Sequence, residues 1–431
     1  MIYGLRRSTR YLALLAFLAV AAACGSSGSS NQGGKVLTIL NINPFTGDNA
    51  IYGQSLIAGC YPAVKLINAD GGVLGDTLKC QPVDTRGDPV DAVPAVQAAL
   101  ATTSGIVGVL GPDDEAVLGP TVERAHLPRF PSSGQDAFDH QTTPYFWRIH
   151  PTDHALGVAM AIWAMKQGYT RAAAFFGTDV AAQGTVANLV KAYEKVGGTI
   201  VSNQQVPEDQ TSYGTEMAKI AAAKPQVIFT EEDAQTGATA FREFKQLNNG
   251  LVPIIGTDAT LTPDWEKAVD AAVGDADFSK YYVGLEAYAP ASGPAWEAFN
   301  TALLASSAQV PMPSQWSTSE FSMWPYDATN VMALAMIEAN SVDPTVYNNY
   351  ILKVTAGGPG AVEVHTFKDG KAALAAGKTI HYVGAIGAIQ LDKYHNSQGD
   401  FEAADFVGGN NNHLATITGS AVGALLDQLA S

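Results

Sequence analysis

Basic residues are scarce in this sequence of 431 residues. It contains 25 lysines and arginines against 41 aspartates and glutamates, which gives a formal net charge of −16 at pH 7. A surface of that sign repels phosphate backbones and anionic lipid headgroups. The charge therefore argues against nucleic acid as a partner and is more consistent with a soluble, exported protein.

Cysteine is also rare, with three residues in the whole chain. Cys60 and Cys80 lie 20 positions apart. In an oxidising compartment their cross-link would stabilise the fold by roughly 3 kcal/mol. We expect this disulfide, and the alternative is a pair of buried free thiols.

Motifs for common chemistry are missing. Residues 370–379 come close to a phosphate loop, but Ala372 stands where the first glycine is required. His150 and His154 have helical spacing, but a proline between them disfavours a metal pair on one helix. No nucleophile with a base is signalled. We therefore expect no enzyme activity, no metal site and no cofactor.

The N-terminus has the pattern of an export signal. Three arginines within the first ten residues precede an apolar run at 11–20, which is too short to span a bilayer, and small residues follow at 21–23. We predict that residues 1–23 are a signal peptide. Residues 24–35 are rich in glycine and serine and have the composition of a flexible tether.

Cys24 follows directly after the small residues. This arrangement resembles the lipobox of bacterial lipoproteins and implies that Cys24 carries a lipid, which would anchor the exported protein at the periplasmic or cell-surface side of a membrane. The usual leucine is replaced by Ala21, so plain secretion remains the alternative.

Strand-like and helix-like segments alternate beyond the tether in two series. The strand-like segments of the first series are 35–45, 76–85, 105–112 and 127–134, and those of the second are 170–177, 199–207, 225–232 and 252–259. Helical patterns of 10 to 15 residues separate most of them. Such alternation predicts parallel sheets covered on both faces, and two series predict two α/β lobes.

Polar residues follow these strands, and ligands of open α/β sheets bind beyond the carboxyl ends of the strands. Serine, threonine and aspartate at such positions also cap helices, so capping is the alternative for any one of them. The candidate ligand-binding residues are Tyr52, Asp113, Asp114, Ser132, Ser133, Asp179, Glu231 and Asp258.

Several spaced motifs resemble type I solute-binding proteins of the Leu/Ile/Val-binding family, which serve ABC transporters. Residues 44–89 contain P-x-T-G, Y-G, I-N-A-x-G-G-x-x-G and D-x-x-x-D-P in that order, and "GVLGP", "YFWRIHPTDHALG" and "PIIGTDA" follow. The resemblance covers nearly the whole chain after the tether. It also implies the same pairing of the two later cysteines.

The resemblance implies two doubly wound lobes joined by three hinge crossovers, which close on a ligand. One lobe would comprise residues 36–150 and 287–400, and the other residues 151–286 and 401–431. Such a protein captures a small amino-acid-like molecule and delivers it to ABC transporter permease subunits. We expect a monomer and not an enzyme.

The resemblance also assigns roles within the site. Ser132 and Ser133 would hold the ligand carboxylate, Asp258 its ammonium group, and Tyr52 would lie near the first loop. A sensor or receptor module is an alternative function for the same fold. It would need a transmembrane helix or a signalling domain after the lobes, and the sequence shows neither up to its last residue.

Asp113 and Asp114 depart from the family, which commonly has serine or threonine at this turn. A carboxylate about 4 Å from a ligand carboxylate costs several kcal/mol. One interpretation is that one of these acids caps the next helix while backbone N–H groups contact an amino-acid-like ligand. The other is that the pocket takes a cation or a polyhydroxylated neutral molecule, with Glu231 and Asp258 adding negative potential.

Overall fold

The computed structural model describes residues 34–47, 50–397 and 399–430. The predicted signal peptide, Cys24 and nearly all of the predicted tether lie outside the described residues. Tyr52 lies in a described helix, but its side chain is outside the description.

The elements alternate along the chain as the sequence predicts. The strands are β1 (Val36–Asn43), β2 (Thr77–Asp84), β3 (Ile106–Leu110), β4 (Arg129–Phe130), β5 (Arg171–Gly177), β6 (Thr199–Val206), β7 (Val227–Glu231), β8 (Ile254–Gly256), β9 (Tyr282–Ala287), β10 (Val362–Val364), β11 (Ile380–Gly384), β12 (Gly387–Ala388), β13 (Phe401–Val407) and β14 (Asn410–Ile417). The α-helices are α1 (Ala50–Ala69), α2 (Pro89–Thr102), α3 (Glu115–Arg124), α4 (Asp153–Lys166), α5 (Val180–Lys195), α6 (Gly214–Ala223), α7 (Ala234–Asn248), α8 (Pro263–Val273), α9 (Asp275–Tyr281), α10 (Gly293–Leu304), α11 (Glu320–Ala339), α12 (Pro344–Tyr347), α13 (Ile351–Thr355), α14 (Phe367–Ala375) and α15 (Gly419–Ala430).

The first sheet has the strand order β2-β1-β3-β4, and all its pairs are parallel. Its strands are rich in valine, isoleucine and leucine because helices cover both faces. The apolar core on one face includes α1 and α11, and the core on the other includes α2 and α3. A small separate sheet follows, with the order β10-β11-β12.

The second sheet has the strand order β14-β13-β9-β8-β7-β5-β6. In β5, Ala172, Ala174 and Phe176 join the core formed with α4, α5 and α15, whereas Ala173 and Phe175 join the core formed with α6, α7 and α8. This alternation follows from the two-residue period of a strand. Helices thus cover both faces, and the predicted α/β fold of two doubly wound sheets is confirmed.

The far edge of the second sheet differs from the all-parallel expectation. Strand β13 runs antiparallel to β9, and β14 runs antiparallel to β13. Gly408 and Gly409 form the two-residue connection between β13 and β14, both with positive φ, as a tight hairpin of this type requires. The chain re-enters this sheet at Phe401, which pairs with Ala287 at the carboxyl end of β9. Strand β13 therefore runs antiparallel to β9.

The chain crosses between the two large sheets three times. The crossings follow β4, β9 and β12, and they lead into α4, α10 and β13 respectively. The predicted number of crossovers is therefore confirmed. None of the helices in the described part of the chain has the length and hydrophobicity that a bilayer span requires.

The predicted disulfide is present. It joins Cys60 in α1 to Cys80 in β2, with 6.1 Å between the Cα atoms, and both residues are buried. The bond links the first helix to the second strand within the core of the first sheet.

Candidate ligand-binding cleft

A cavity of about 670 Å³ lies where the two large sheets approach each other. Its walls include Ser132, which follows β4, Asp258, which follows β8, and Ala287, which ends β9. The carboxyl ends of parallel strands meet at this edge, as expected for a ligand site of an open α/β sheet. Its volume falls in the range of roughly 300 to 1,000 Å³ that is usual for small-molecule sites.

The charged residues of the cavity wall are mainly acids. Among the described residues that line it, the only side chains with basic nitrogens belong to His150 and His413. His150 is buried, and its Nε2 and Nδ1 atoms lie 3.0 and 2.9 Å from the carbonyl oxygens of Pro131 and Pro151. The acids come from five separate elements or their ends: Asp153, Asp258, Glu286, Glu320 and Glu402.

Burial shifts the protonation of these acids. It raises the pKa of Asp153 to about 7, and the negative charge of Asp258 adds to this rise. Burial likewise raises the pKa of Glu286 to about 8, with Glu402 contributing next. It raises the pKa of Glu320 to about 8, again with a contribution from Asp258. The cavity is therefore a place where carboxyl groups hold protons near neutral pH.

Glu231 is a further buried acid, although it does not line the cavity. It ends β7 and is only 6% exposed, and its Oε2 atom has no hydrogen-bond partner among the described residues. Burial raises its pKa well above the ordinary value, and Asp258 and Asp153 also raise it. An unpartnered buried oxygen of this kind costs free energy unless a proton or a ligand donor satisfies it.

Aromatic rings complete the wall. Tyr288 stacks on His413 with 4.7 Å between the ring centroids, and Nδ1 of the same histidine lies 2.6 Å from Oε2 of Glu402. Trp316 and Phe401 also line the cavity. Within the described residues, no group of three or more His, Cys, Asp or Glu side chains is arranged to hold a metal ion.

The two aspartates of the turn after β3 form hydrogen bonds with nearby residues of the protein. Asp114 caps α3 by accepting a hydrogen bond from the Val117 N–H at 3.1 Å. Asp113 accepts one from the Thr85 hydroxyl at 2.7 Å, while its other carboxyl oxygen is buried without a partner among the described residues. Neither aspartate lines the cavity. As ligand-binding residues both remain predictions.

The two serines predicted to hold a ligand carboxylate also form hydrogen bonds within the protein. Ser132 lines the cavity, but its Oγ donates to Asn43 Oδ1 at 3.0 Å. The buried Ser133 accepts a bond from the Gln135 N–H at 3.4 Å. Asp179 caps α5 through the N–H groups of residues 181 and 182 and does not line the cavity. Of the eight candidates, Ser132 and Asp258 are in the cavity wall, and the charges of Asp258 and Asp153 in that wall act on Glu231.

Four of the five acids in the wall, together with His413, were not predicted as site residues from the sequence. Asp153 follows Thr152, which caps α4, and this pair of residues is typical of an ordinary helix N-terminus. Glu320 likewise begins α11. Glu286 and Glu402 lie in paired strands β9 and β13, outside the two predicted strand series. A search for strands after residue 260 could have found these last two.

Comparisons with known proteins agree with this architecture. Residues 36–398 match the periplasmic binding protein family. The Leu/Ile/Val-binding protein BraC3 of Rhizobium johnstonii is 25% identical over 243 residues, which cover 55% of this chain and 66% of that protein, just under two thirds of its length.

Solved structures share the fold. The leucine-binding protein LivK of Thermotoga maritima has a TM-score of 0.66 at 18% identity, over 89% of this chain and 99% of that one. A solute-binding protein of an ABC transporter from Rhodopseudomonas palustris, in complex with p-hydroxybenzoic acid, has a TM-score of 0.65 at 19% identity, over 89% and 98% of the two chains.

The family match runs from β1 to the segment before β13 and so includes the first sheet, five of the seven strands of the second sheet and the first two crossings. Members of this family bind solutes and are not enzymes. The protein belongs to the periplasmic binding protein family.

Proposed function

We propose that this protein is the extracytoplasmic binding component of an ABC importer. It captures a small solute that carries an ammonium group and delivers it to permease subunits in the membrane. The observation that carries this proposal is the cavity lined by Asp153, Asp258, Glu286, Glu320 and Glu402. Carboxylates that are partly removed from water bind an ammonium group strongly through charge-assisted hydrogen bonds.

An amino acid or an amino-acid analogue is one solute class that meets this requirement. The name of the Rhizobium relative supports that class, and so does the presence of Asp258 and Ser132 in the cavity wall. A second class, an organic cation, is favoured by the number of acids. Both classes share the ammonium group on which the proposal depends.

Anchoring and closure belong to the same proposal. A lipid on Cys24 would hold the protein at the membrane, and the tether would let it reach the permease. The two lobes, residues 36–150 with 287–400 and residues 151–286 with 401–431, would close on the solute by bending at the three crossings. Mass spectrometry of the exported protein tests the lipid, because a lipidated Cys24 has a defined mass increase.

Equilibrium binding tests the solute class. Isothermal titration at about pH 8 would compare α-amino acids and alkylamines with p-hydroxybenzoate, which lacks an ammonium group. We expect binding only with ammonium-bearing solutes and a loss of about tenfold or more in Asp258→Asn. Glu194→Gln is the control, because it removes the same charge from an exposed position on α5. Binding of p-hydroxybenzoate alone would disprove the proposal.

A further inference from the structure

Arg148 holds one wall of the cleft against the third crossing between the sheets. It lies in the first crossing, between β4 and α4, and its side chain is completely buried. Its guanidinium contacts two other parts of the chain. One is residues 132–139, the wall segment, which follow β4, and the other is residues 392–397 of the third crossing.

The guanidinium is bonded to the wall segment at three points. Its Nη1 atom donates to the backbone carbonyl oxygens of Gln135 at 3.0 Å and Ser133 at 3.3 Å, and its Nη2 atom forms an ion pair with Asp139. A planar guanidinium can donate in several fixed directions at once. These bonds hold the backbone on both sides of Gly134.

The same arginine is bonded to the third crossing. Its Nε atom donates to Asn396 Oδ1 at 2.9 Å. The backbone N–H of Arg148 donates to the carbonyl oxygen of His395 at 2.9 Å, and its carbonyl oxygen accepts from the N–H of Ser397 at 2.8 Å. Asn396 Nδ2 in turn donates to the carbonyl oxygen of Asp139 at 2.8 Å. One continuous network therefore holds the wall segment and the third crossing together.

The wall segment is part of the cavity wall and touches α4. Ser132 and Gly134 line the cavity. The carbonyl oxygen of Gly134 accepts from the N–H of Asp153 at 2.9 Å, and a Cβ atom at Gly134 would lie 2.1 Å from Asp153 Oδ1. The backbone at Gly134 lies directly against an acid of the cavity, so a displacement of the wall segment would change the shape of the site.

We propose that Arg148 is a positioning residue of the binding site. It sets the place of the wall segment relative to the third crossing, so that the cleft wall and this crossing move as one unit when the lobes open or close. Arg148 acts through Ser133 and Gln135, because its own side chain is buried and does not line the cavity. The inference rests on the proposed function in that it takes the cavity as the solute site.

Arg129 offers a matched comparison. It is also buried and forms ion pairs with Glu115 and Glu123, but within the described part of the chain its side chain has no hydrogen bond to the wall segment or to the third crossing. Loss of either arginine leaves acids without their partner, so both variants should lose stability. Only the loss of Arg148 should release the wall segment.

Hydrogen exchange of the ligand-free protein, read at single residues by mass spectrometry, requires no knowledge of the solute. In Arg148→Met, the amides of Phe138, Asp139 and Asp153 should exchange at least about tenfold faster than in the unaltered protein, because their bonds depend on the place of the wall segment. In Arg129→Met, the same amides should change less than about threefold. The temperature is one at which melting curves show both variants to be folded. Equal acceleration in the two variants would overturn the inference.

A second pair of variants examines the link to the third crossing. Asn396→Ala should accelerate exchange of the Asp153 amide by about threefold or more, although Asn396 forms no hydrogen bond with Asp153 or Gly134. Asn348→Ala is the control, because it removes a buried amide that accepts from Trp147 Nε1 at 2.8 Å, outside the network of Arg148. It should change the same exchange rate less than about twofold. Unchanged exchange in Asn396→Ala would contradict the coupled movement.

Titration calorimetry at about pH 8, with leucine and n-butylamine as probes, connects this position to binding. Arg148→Met should weaken the binding of whichever probe the unaltered protein binds by about tenfold or more, whereas Arg129→Met should change it less than about twofold. Equal affinities in folded Arg148→Met and in the unaltered protein would overturn the inference. If neither probe binds the unaltered protein, the proposed solute class fails, and hydrogen exchange alone decides the role of Arg148.

Discussion

Asp258, in the turn after β8, lines the same cleft as Asp153, which begins α4. After burial, the charge of Asp258 is the strongest influence among those that raise the pKa of Asp153 to about 7. Two acids that share a partly desolvated site do not both ionise easily, so carboxyl groups of the cleft hold protons near neutral pH. Both the stability of the protein and its affinity for a cation should therefore depend on pH.

Stability of the ligand-free protein should decrease as pH rises. The pKa of Asp153 is about 7 and those of Glu286 and Glu320 are about 8, above the values of roughly 4 for unfolded chains. The folded state thus binds more protons between these limits, and the stabilisation is full below the unfolded pKa and lost as pH rises through the folded pKa. The melting temperature should decrease by roughly 5 °C or more between about pH 5 and pH 8.5.

Two variants, each of which removes one carboxyl group, test whether the cleft causes this pH dependence of the melting temperature. Glu320→Gln removes one buried titrating group, so its melting temperature should depend less on pH than that of the unaltered protein. Glu194→Gln, with its charge on the surface, should keep the original dependence. Equal pH dependence in both variants would show that the cleft does not cause the effect.

Cation binding should release protons. An ammonium group favours the ionised form of the acids, so the affinity of 1,4-diaminobutane should increase from about pH 6 to pH 8.5, by up to about tenfold per pH unit for each proton released. Calorimetry in two buffers with different ionisation enthalpies counts the protons directly. The same apparent enthalpy in both buffers would contradict this prediction.

The buried ion pair between Arg129 and Glu115 should be important for stability. Arg129 Nη2 lies 2.8 Å from Glu115 Oε1, and both side chains are almost fully buried. Arg129→Met would leave the Glu115 carboxyl buried without its partner and should lower the free energy of unfolding by about 3 to 5 kcal/mol. Arg86→Met, which breaks an exposed pair with Asp91, should cost about 1 kcal/mol or less. Chemical denaturation measures both, and similar losses would contradict the prediction.

Helices α1 and α11 approach each other closely at Gly59. A Cβ atom there would lie 2.2 Å from the Ser322 carbonyl oxygen. Gly59→Ala should therefore destabilise the protein by about 1 to 3 kcal/mol. Gly184→Ala, inside α5, is the matched control, because its Cβ would meet nothing nearer than 3.9 Å. That control should be neutral or stabilising by up to about 1 kcal/mol, and denaturant midpoints would compare the two.

Part of the site could be predicted and part could not. Asp258 was predicted because it follows a strand that the sequence pattern identifies. Asp114 was correctly given a capping role as one alternative, and the cap forms with Val117. Glu286 and Glu402 were not predicted because they become neighbours only when β13 returns to pair with β9. A strand pairing over more than 100 residues has no local signal in the chain.

Local chemistry explains what could be inferred from the sequence. The periods of apolar residues in strands and helices predict the two covered sheets, and small polar residues at helix starts predict the caps. The spacing of Cys60 and Cys80 allowed a disulfide that the fold contains. Each of these features depends on neighbours along the chain or on motifs within short segments.

The acidic character of the cleft arises from tertiary structure. Three crossings between the sheets gather acids from α4, β9, α11, β13 and the turn after β8 into one cavity wall. Their raised pKa values depend on burial and on one another's charge, and neither quantity exists before the chain folds. The sequence could therefore indicate a binding protein, whereas the acidic character of its cavity wall follows from how folding brings distant carboxyl groups together.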